Sequence, residues 1–466
     1  MKSMMSAWFL LALLSATIFA TEATAASTPN PWLRPEIVPA PINNATTPVR
    51  VELGRNLFFD PRLSLLNSMS CANCHNPSLG WSDGLPTAVG NNMKILDRAT
   101  PTLVNTAYNK IQMWDGRFRT LEDQATGPIT ADGEMNQNLD ELILELGAIP
   151  GYVSLFEAAY PGEGINKATI SKGLAAYQRT IVSNDAPFDR WQKGDEKAVD
   201  ASVKRGFQVF KDKGRCDTCH GGFNFTDDSF HNLGLKGSID PGRYAKVAVQ
   251  AMRGAFKTPT LRDIALTGPY MHDGRYETLE EVINHYDRGG DKVDNVSEQI
   301  QKLGLSTQEK ADLLAFMHAL TGAPMQVVMP QLPNRVKGAR IKAVAFSKPV
   351  PEQVSAPVKK VLAPSPRSVE LASAGPAAKY EILQNDKLFF FKGKQVVTMK
   401  LQAGDTVQFH NEDKVFHNLY SVSEAKTFDL GAMRKGDIRK MTFEQRGDVE
   451  VQCAIHTDMM LVLDVR

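Results

Sequence analysis

Cys71-Ala-Asn-Cys-His75 and Cys216-Asp-Thr-Cys-His220 are the stretches on which the reading of this chain turns. Each sets two thiols one helical turn apart with an imidazole directly after the second. That spacing lets both cysteines form thioethers with porphyrin vinyl groups while the histidine turns onto the iron. A four-cysteine zinc knuckle is the competing reading of paired CxxC motifs. Zinc has no need of a histidine after both pairs, and its half-sites would stand 145 residues apart. The motifs are therefore read as attachment sites for two covalently bound haem c groups. Cys71, Cys74, Cys216 and Cys219 would be the thioether partners, and His75 and His220 the proximal iron ligands.

Working outward, residues 100–123 and 258–281 align without gaps at an offset of 158, with 12 of 24 positions identical, among them TPTL, DGR and TLE. Each CxxCH is followed by one such stretch, which implies an internal duplication and two homologous domains. Trp114 in the first copy stands where His272 stands in the second. The copies have diverged at an equivalent position, so different roles are expected of them.

The chain has 466 residues, with 53 Lys plus Arg against 52 Asp plus Glu. A balanced charge offers no basic excess for nucleic acid or an anionic membrane, and no nucleic-acid partner is expected. Residues 1–25 read as a cleaved secretory signal peptide: one lysine, a 14-residue apolar run from Ala7 to Ala20, then small residues at Ala23-Thr24-Ala25. The run is shorter than the roughly 20 residues a bilayer span needs. No membrane span is expected after cleavage, and the location implied is the periplasm.

Local signals are helical up to residue 322. Leu139–Leu146, Ile170–Val182 and Val203–Phe210 carry apolar residues at three- and four-residue spacing, and Ser306-Thr-Gln-Glu309 is a capping box opening the run Ala311–Leu320. Residues 323–377 hold nine prolines, eight Lys or Arg and two acids, so 323–372 is expected to be a semi-extended basic linker. From Tyr380 short runs (LFFF, VVTMKL, TVQFH, VEVQC, MLVLDV) alternate with Gly-Asp, Asn-Glu-Asp and Arg-Gly-Asp turns, which predicts an all-β domain over 373–466. The haem domains are placed at 46–195 and 196–322.

The segments LGRNLFFDPRLS, SCANCHNPSLGWSDG, MWDGR, GEMN, FHNLG and GPYMHDGRY within residues 46–322 resemble the bacterial diheme cytochrome c peroxidases, especially their MauG-like branch. The resemblance implies two mainly α c-type cytochrome domains, the first haem reacting with peroxide and the second transferring electrons. It implies Trp114 as the tryptophan between the haems, Glu134 as the acid/base glutamate beside the peroxide site and Gln124 as the pocket glutamine. A pocket carboxylate can shuttle the proton that peroxide cleavage needs, and an indole is oxidisable enough to relay a hole. Where peroxidase members carry a histidine that blocks the first iron, this chain has Asn91, which leaves that iron open. Where they carry a methionine ligand to the second iron it has Tyr286, as in the MauG-like branch, and a phenolate there should lower the potential. The family's calcium is held by an asparagine side chain and two carbonyls. The carbonyl positions match Thr267 and Pro269, but Ala99 replaces the asparagine, so calcium is not assigned. His231 and His285 are read as packing or hydrogen-bonding residues.

The ending Cys453-Ala-Ile-His456-Thr-Asp-Met459, with His417 in VFHNLYS 36 positions before Cys453, is similar to the short-loop cupredoxins. Two imidazoles and a thiolate with a weak axial thioether suit one type 1 copper, and a short C-x2-H-x2-M loop delivers three of the four ligands. The resemblance implies a Greek-key sandwich with His417, Cys453, His456 and Met459 on copper, Met459 being preferred to Met460. The expected activity is reduction of hydrogen peroxide at the first haem, with electrons relayed through the second haem and the copper domain. The alternative is a MauG-like oxidase that uses peroxide to oxidise or modify a partner protein. The expected macromolecular partner is a small cytochrome, a cupredoxin or another redox protein, as electron donor or substrate.

Overall fold

A computed structural model of the chain describes residues 30–334, 378–456 and 458–466. The signal segment 1–25 and the linker residues 335–372 lie outside the described residues. Up to residue 320 the chain is helical, and the predicted helices form with their caps. Leu139–Gly147 starts where the Asn138 side chain accepts from the amides of Asp140 and Glu141; Lys167–Gln178 and Ala201–Lys211 follow, and Thr307–His318 opens on the Ser306–Glu309 capping box.

Two apolar cores divide this part. The first gathers Leu53, Leu57, Phe58, Leu142, Tyr152, Phe156, Ile170 and Leu174. The second is an aromatic cluster of Phe188, Phe207, Phe210, Phe225 and Phe316. Two strands of the chain ignore the boundary expected between them. Trp32 stacks edge-on against Phe207 at 5.1 Å in the second core. Met325 and Val327, expected in the linker, pack on the first core, and Arg62 holds the carbonyl of Pro333 at 3.0 Å. The stretch just after residue 322 is therefore a strap over the first core, because its apolar residues find a face to cover.

The two repeated stretches share their turns and bridges at the offset of 158, and differ at the cis bond Gly268–Pro269, whose counterpart Lys110–Ile111 is trans. Left-handed Asn105 and Asp263 (φ 61° and 56°) precede 3-10 turns at Thr106–Tyr108 and Ile264–Leu266, and isolated bridges join Gln112 to Phe118 and Tyr270 to Tyr276. The DGR motif has a local reason. Arg117 bonds Asp115 at 3.1 Å and Arg275 bonds Asp273 at 3.0 Å, across glycines Gly116 and Gly274 at φ 62° and 60°. A Cβ on Gly116 would stand 2.3 Å from Phe230, so only glycine makes that turn.

A short ladder pairs β1 (Phe230–His231) with β2 (Phe256–Lys257). Among the described residues the C-terminal unit has ten strands: β3 (Tyr380–Asn385), β4 (Leu388–Phe391), β5 (Lys394–Gln395), β6 (Thr398–Leu401), β7 (Asp405–Asn411), β8 (His417–Ser423), β9 (Lys426–Met433), β10 (Ile438–Phe443), β11 (Gly447–Cys453) and β12 (Met460–Val465). They form two five-stranded sheets, ordered β10-β7-β3-β4-β5 and β6-β12-β11-β8-β9, antiparallel except for β3–β7 and β6–β12. Alternate residues such as Val449, Val451, Leu461 and Leu463 fill the core. Gly447 and Asp448, expected in a turn, already belong to β11.

Candidate functional site

Two cavities lie side by side in the helical part. Cys71, Cys74 and His75 line one, of about 960 Å³. Cys216, Cys219 and His220 line the other, of about 590 Å³. The two CxxC pairs therefore face separate spaces, which a four-cysteine zinc site could not use. His75 Nδ1 is tied to the Trp81 carbonyl at 3.1 Å and His220 Nδ1 to that of Phe225 at 2.8 Å. Such a bond fixes the tautomer and leaves Nε2 with its lone pair. Burial pushes both imidazoles down to the neutral form, and pushes the thiols of Cys71 and Cys216 up to about 12 and that of Cys74 to about 11.

Trp114 lines both cavities, as does His272. The indole donates to the Ala99 carbonyl at 2.8 Å, while the Ala99 amide donates to the His272 carbonyl at 2.7 Å. Ala99 thus spends its main chain on the wall between the cavities and has no side-chain oxygen to offer a cation. His272 stacks on Phe256 with ring centres 3.6 Å apart, and burial holds it down to about 4.

Glu134 and Gln124 line the first cavity. Burial raises the Glu134 carboxyl above its ordinary value, partly opposed by Arg117 at 3.8 Å. Gln124 Nε2 points to the sulfur of Met113 at 3.8 Å. Asn91 is buried, its amide donating to the Glu134 carbonyl at 2.7 Å, and its side chain is not part of the cavity wall. Arg117 was not singled out from the sequence, although the repeated DGR was its signal.

Tyr286 lines the second cavity with His220. Burial raises its phenol, and among the described residues nothing shares a hydrogen bond with its hydroxyl. The adjacent His285 is committed elsewhere, Nε2 to the Leu233 carbonyl at 2.8 Å and Nδ1 facing the Tyr276 hydroxyl at 3.0 Å. His231 lines the same cavity, 3.5 Å from Asp227.

In the β unit, His417 opens β8 and Cys453 ends β11, which pair side by side. Cys453 Sγ lies 3.7 Å from His417 Nδ1 and 3.6 Å from His456 Nδ1, and the two Nδ1 atoms are 3.1 Å apart. These edges fit three ligands each about 2.0–2.3 Å from one centre. His417 Nε2 faces Asp413 at 3.3 Å, which reserves Nδ1 for the cluster; Asp413, four residues before His417, was not foreseen. Burial, then His417, pushes His456 down to about 2, and burial lowers His417 and raises the Cys453 thiol. Met459 is 1% exposed and Met460 41%, which separates the two methionines.

Attachment pairs, free imidazole nitrogens and a shared tryptophan wall describe a two-haem c-type protein. The di-haem cytochrome c peroxidase profile matches residues 48–197. The chain is 49% identical over 322 residues to the methylamine utilization protein MauG of Methylorubrum extorquens, covering 68% of this chain and 91% of that one. It is 36% identical to the cytochrome c551 peroxidase of Pseudomonas aeruginosa over 60% of this chain and 81% of that one. The crystal structure of a MauG-like protein associated with microbial copper homeostasis matches with a TM-score of 0.59 at 31% identity, covering 62% of this chain and 95% of that one. The chain belongs to the diheme cytochrome c peroxidase and MauG family, and is an oxidoreductase acting on peroxide.

Proposed function

We propose that the chain is a periplasmic diheme peroxidase that reduces hydrogen peroxide at the first haem, with electrons supplied through the second haem and through a copper site in the β unit. The observation that carries this is the pair of cavities, each with a CxxCH whose histidine keeps Nε2 free, separated by a wall containing Trp114. Bound at those motifs, c-type haem supplies O–O bond cleavage and one-electron chemistry. The turns and bridges shared at an offset of 158 support reading the halves as a duplication and the domain limits as 46–195 and 196–322.

The chain's own residues set the rest. Glu134, its carboxyl raised by burial against the opposing pull of Arg117, moves a proton between the peroxide oxygens. Gln124 orients the peroxide, and Trp114 relays a hole between cavities. Asn91 leaves the distal side of the first site open. Tyr286, with its hydroxyl unshared, would ligate the haem iron at the second site. His417, Cys453 and His456, with Met459, would hold one type 1 copper that supplies one-electron chemistry, and the two-sheet topology supports a cupredoxin sandwich. Ala99 supports no calcium. Rapid mixing of the fully oxidised protein with peroxide tests the reading: it should react without prior reduction, and a need for one-electron reduction first would overturn the open site. The MauG-like reading, oxidation or modification of a partner protein, is favoured by Tyr286 and the 49% identity to MauG. Fast peroxide turnover with a small reductant supports the first reading; slow turnover with a long-lived oxidised state supports the second.

A further inference from the structure

The stretch that directly follows Cys453 does not face solvent. Ala454 is 2% exposed and His456 6%. Ala454, Ile455 and Tyr420 pack in one apolar cluster with Ile111, Phe230, Val247 and Met252 of the helical part. Around this seat Lys110 pairs with Asp458, Arg119 Nη2 donates to Gln452 Oε1 at 3.4 Å, and Arg434 meets Glu298 at 3.1 Å. The β unit therefore sits on the helical part by the end that carries its metal-ligand cluster. Beneath it, Phe230 of that cluster directly precedes His231, which lines the second cavity 3.5 Å from Asp227. Donor atoms of Asp227, His231 and Cys219 lie within 4.8 Å of one another, and His231 and Cys219 line the second cavity.

We propose that this seat is a fixed electron-transfer contact, in which one electron leaves the His417–Cys453–His456 site and reaches the second haem cavity across the packed Ala454 and Phe230 and the adjoining His231. Copper(I) becomes copper(II) as the haem iron gains that electron; no proton or ligand changes place. The proposal rests on the copper reading of the cluster and goes beyond it in two respects. Exchange needs no tethered search, because the two surfaces are already packed. An outside redox partner cannot reach Ala454 or His456, because this chain buries both.

The test uses the full chain carrying both haems and copper. Amide exchange is measured at residues 454–456, and copper-to-haem electron exchange is followed in the visible bands after peroxide is added to protein with reduced copper. The loop should be protected and the rate independent of protein concentration. Val247→Asp places a carboxylate in the apolar seat, away from the metal ligands, and should slow exchange roughly tenfold or more and expose the loop amides while the copper band persists. If that variant folds poorly, Lys110→Glu should slow exchange less, and adding Asp458→Lys should restore it. An intense copper band with an unprotected loop, or with a rate unchanged in Val247→Asp, would overturn the seat as the electron contact. Absence of the band in the parent would overturn the copper reading itself, which loop protection does not depend on.

Discussion

At residue 114 the first half of the repeat presents an indole to the wall between the cavities, and at 272 the second presents an imidazole stacked on Phe256. The turns that carry them are alike: Met113 and Met271 have φ of 72° and 75°, and each is followed by an Asp–Gly–Arg bridge. Beyond the bridge the arginines part. Arg117 lies 3.8 Å from Glu134 in the first cavity, whereas Arg275 donates to the Lys236 carbonyl at 2.8 Å. Like turns thus stand beside a Glu134–Arg117 ion pair in the first cavity and beside a cavity lined by Tyr270 and Tyr286 on the other side. The two stretches share their turns and differ in the side chains those turns present.

The sharpest way to break this contrast is at Glu134. Glu134→Gln should slow peroxide cleavage by about 10² to 10⁴, the usual worth of a positioned acid or base, with both haems still attached. Stopped-flow spectra at several peroxide concentrations decide it, and unchanged rates would move the proton transfer to another group. At the corresponding distal place in the other cavity, Tyr286→Phe should alter the second haem's spectrum and leave peroxide binding at the first intact. Tyr286→Met should raise that haem's potential in a redox titration. Trp114→Phe should keep both spectra and slow electron equilibration between the haems, which photoreduction with time-resolved absorbance would show.

His272 gives a pH test with a definite sign. Its folded-state pKa of about 4 lies below the ordinary 6.5. Between those values the unfolded chain holds a proton that the folded chain refuses, so stability falls as pH drops through that window. Melting temperatures at pH 7 and 4.5 should differ less in His272→Phe than in the parent. The smallest effect is at the matching helix caps. Thr120 accepts from the Asp123 amide at 3.0 Å and Thr278 from the Glu281 amide at 3.2 Å, but only Glu281 reaches back to its cap residue. Each Thr→Ala change should cost about 1 kcal/mol, with Thr278→Ala the larger loss in chemical denaturation.

Much of this was legible in the chain. The CxxCH motifs, the capping box at Ser306 and the Cys453–Met459 loop depend on residues a few positions apart, where covalent geometry alone brings groups together. The repeat is visible because its turns demand particular residues, glycine at 116 and 274 above all. His417, 36 positions before Cys453, comes beside it because β8 pairs with β11.

Other features were decided by which apolar surfaces were left to cover. Nothing local in Trp32 points to Phe207, or in Met325 and Val327 to the first core. The seat of the β unit depends on Ala454 and Ile455 meeting Val247 and Met252, residues about 200 positions apart with no shared motif. Spacing fixes ligand sets because bond lengths are short and specific. The burial of loops and straps is a property of whole surfaces, and those exist only once the chain has folded.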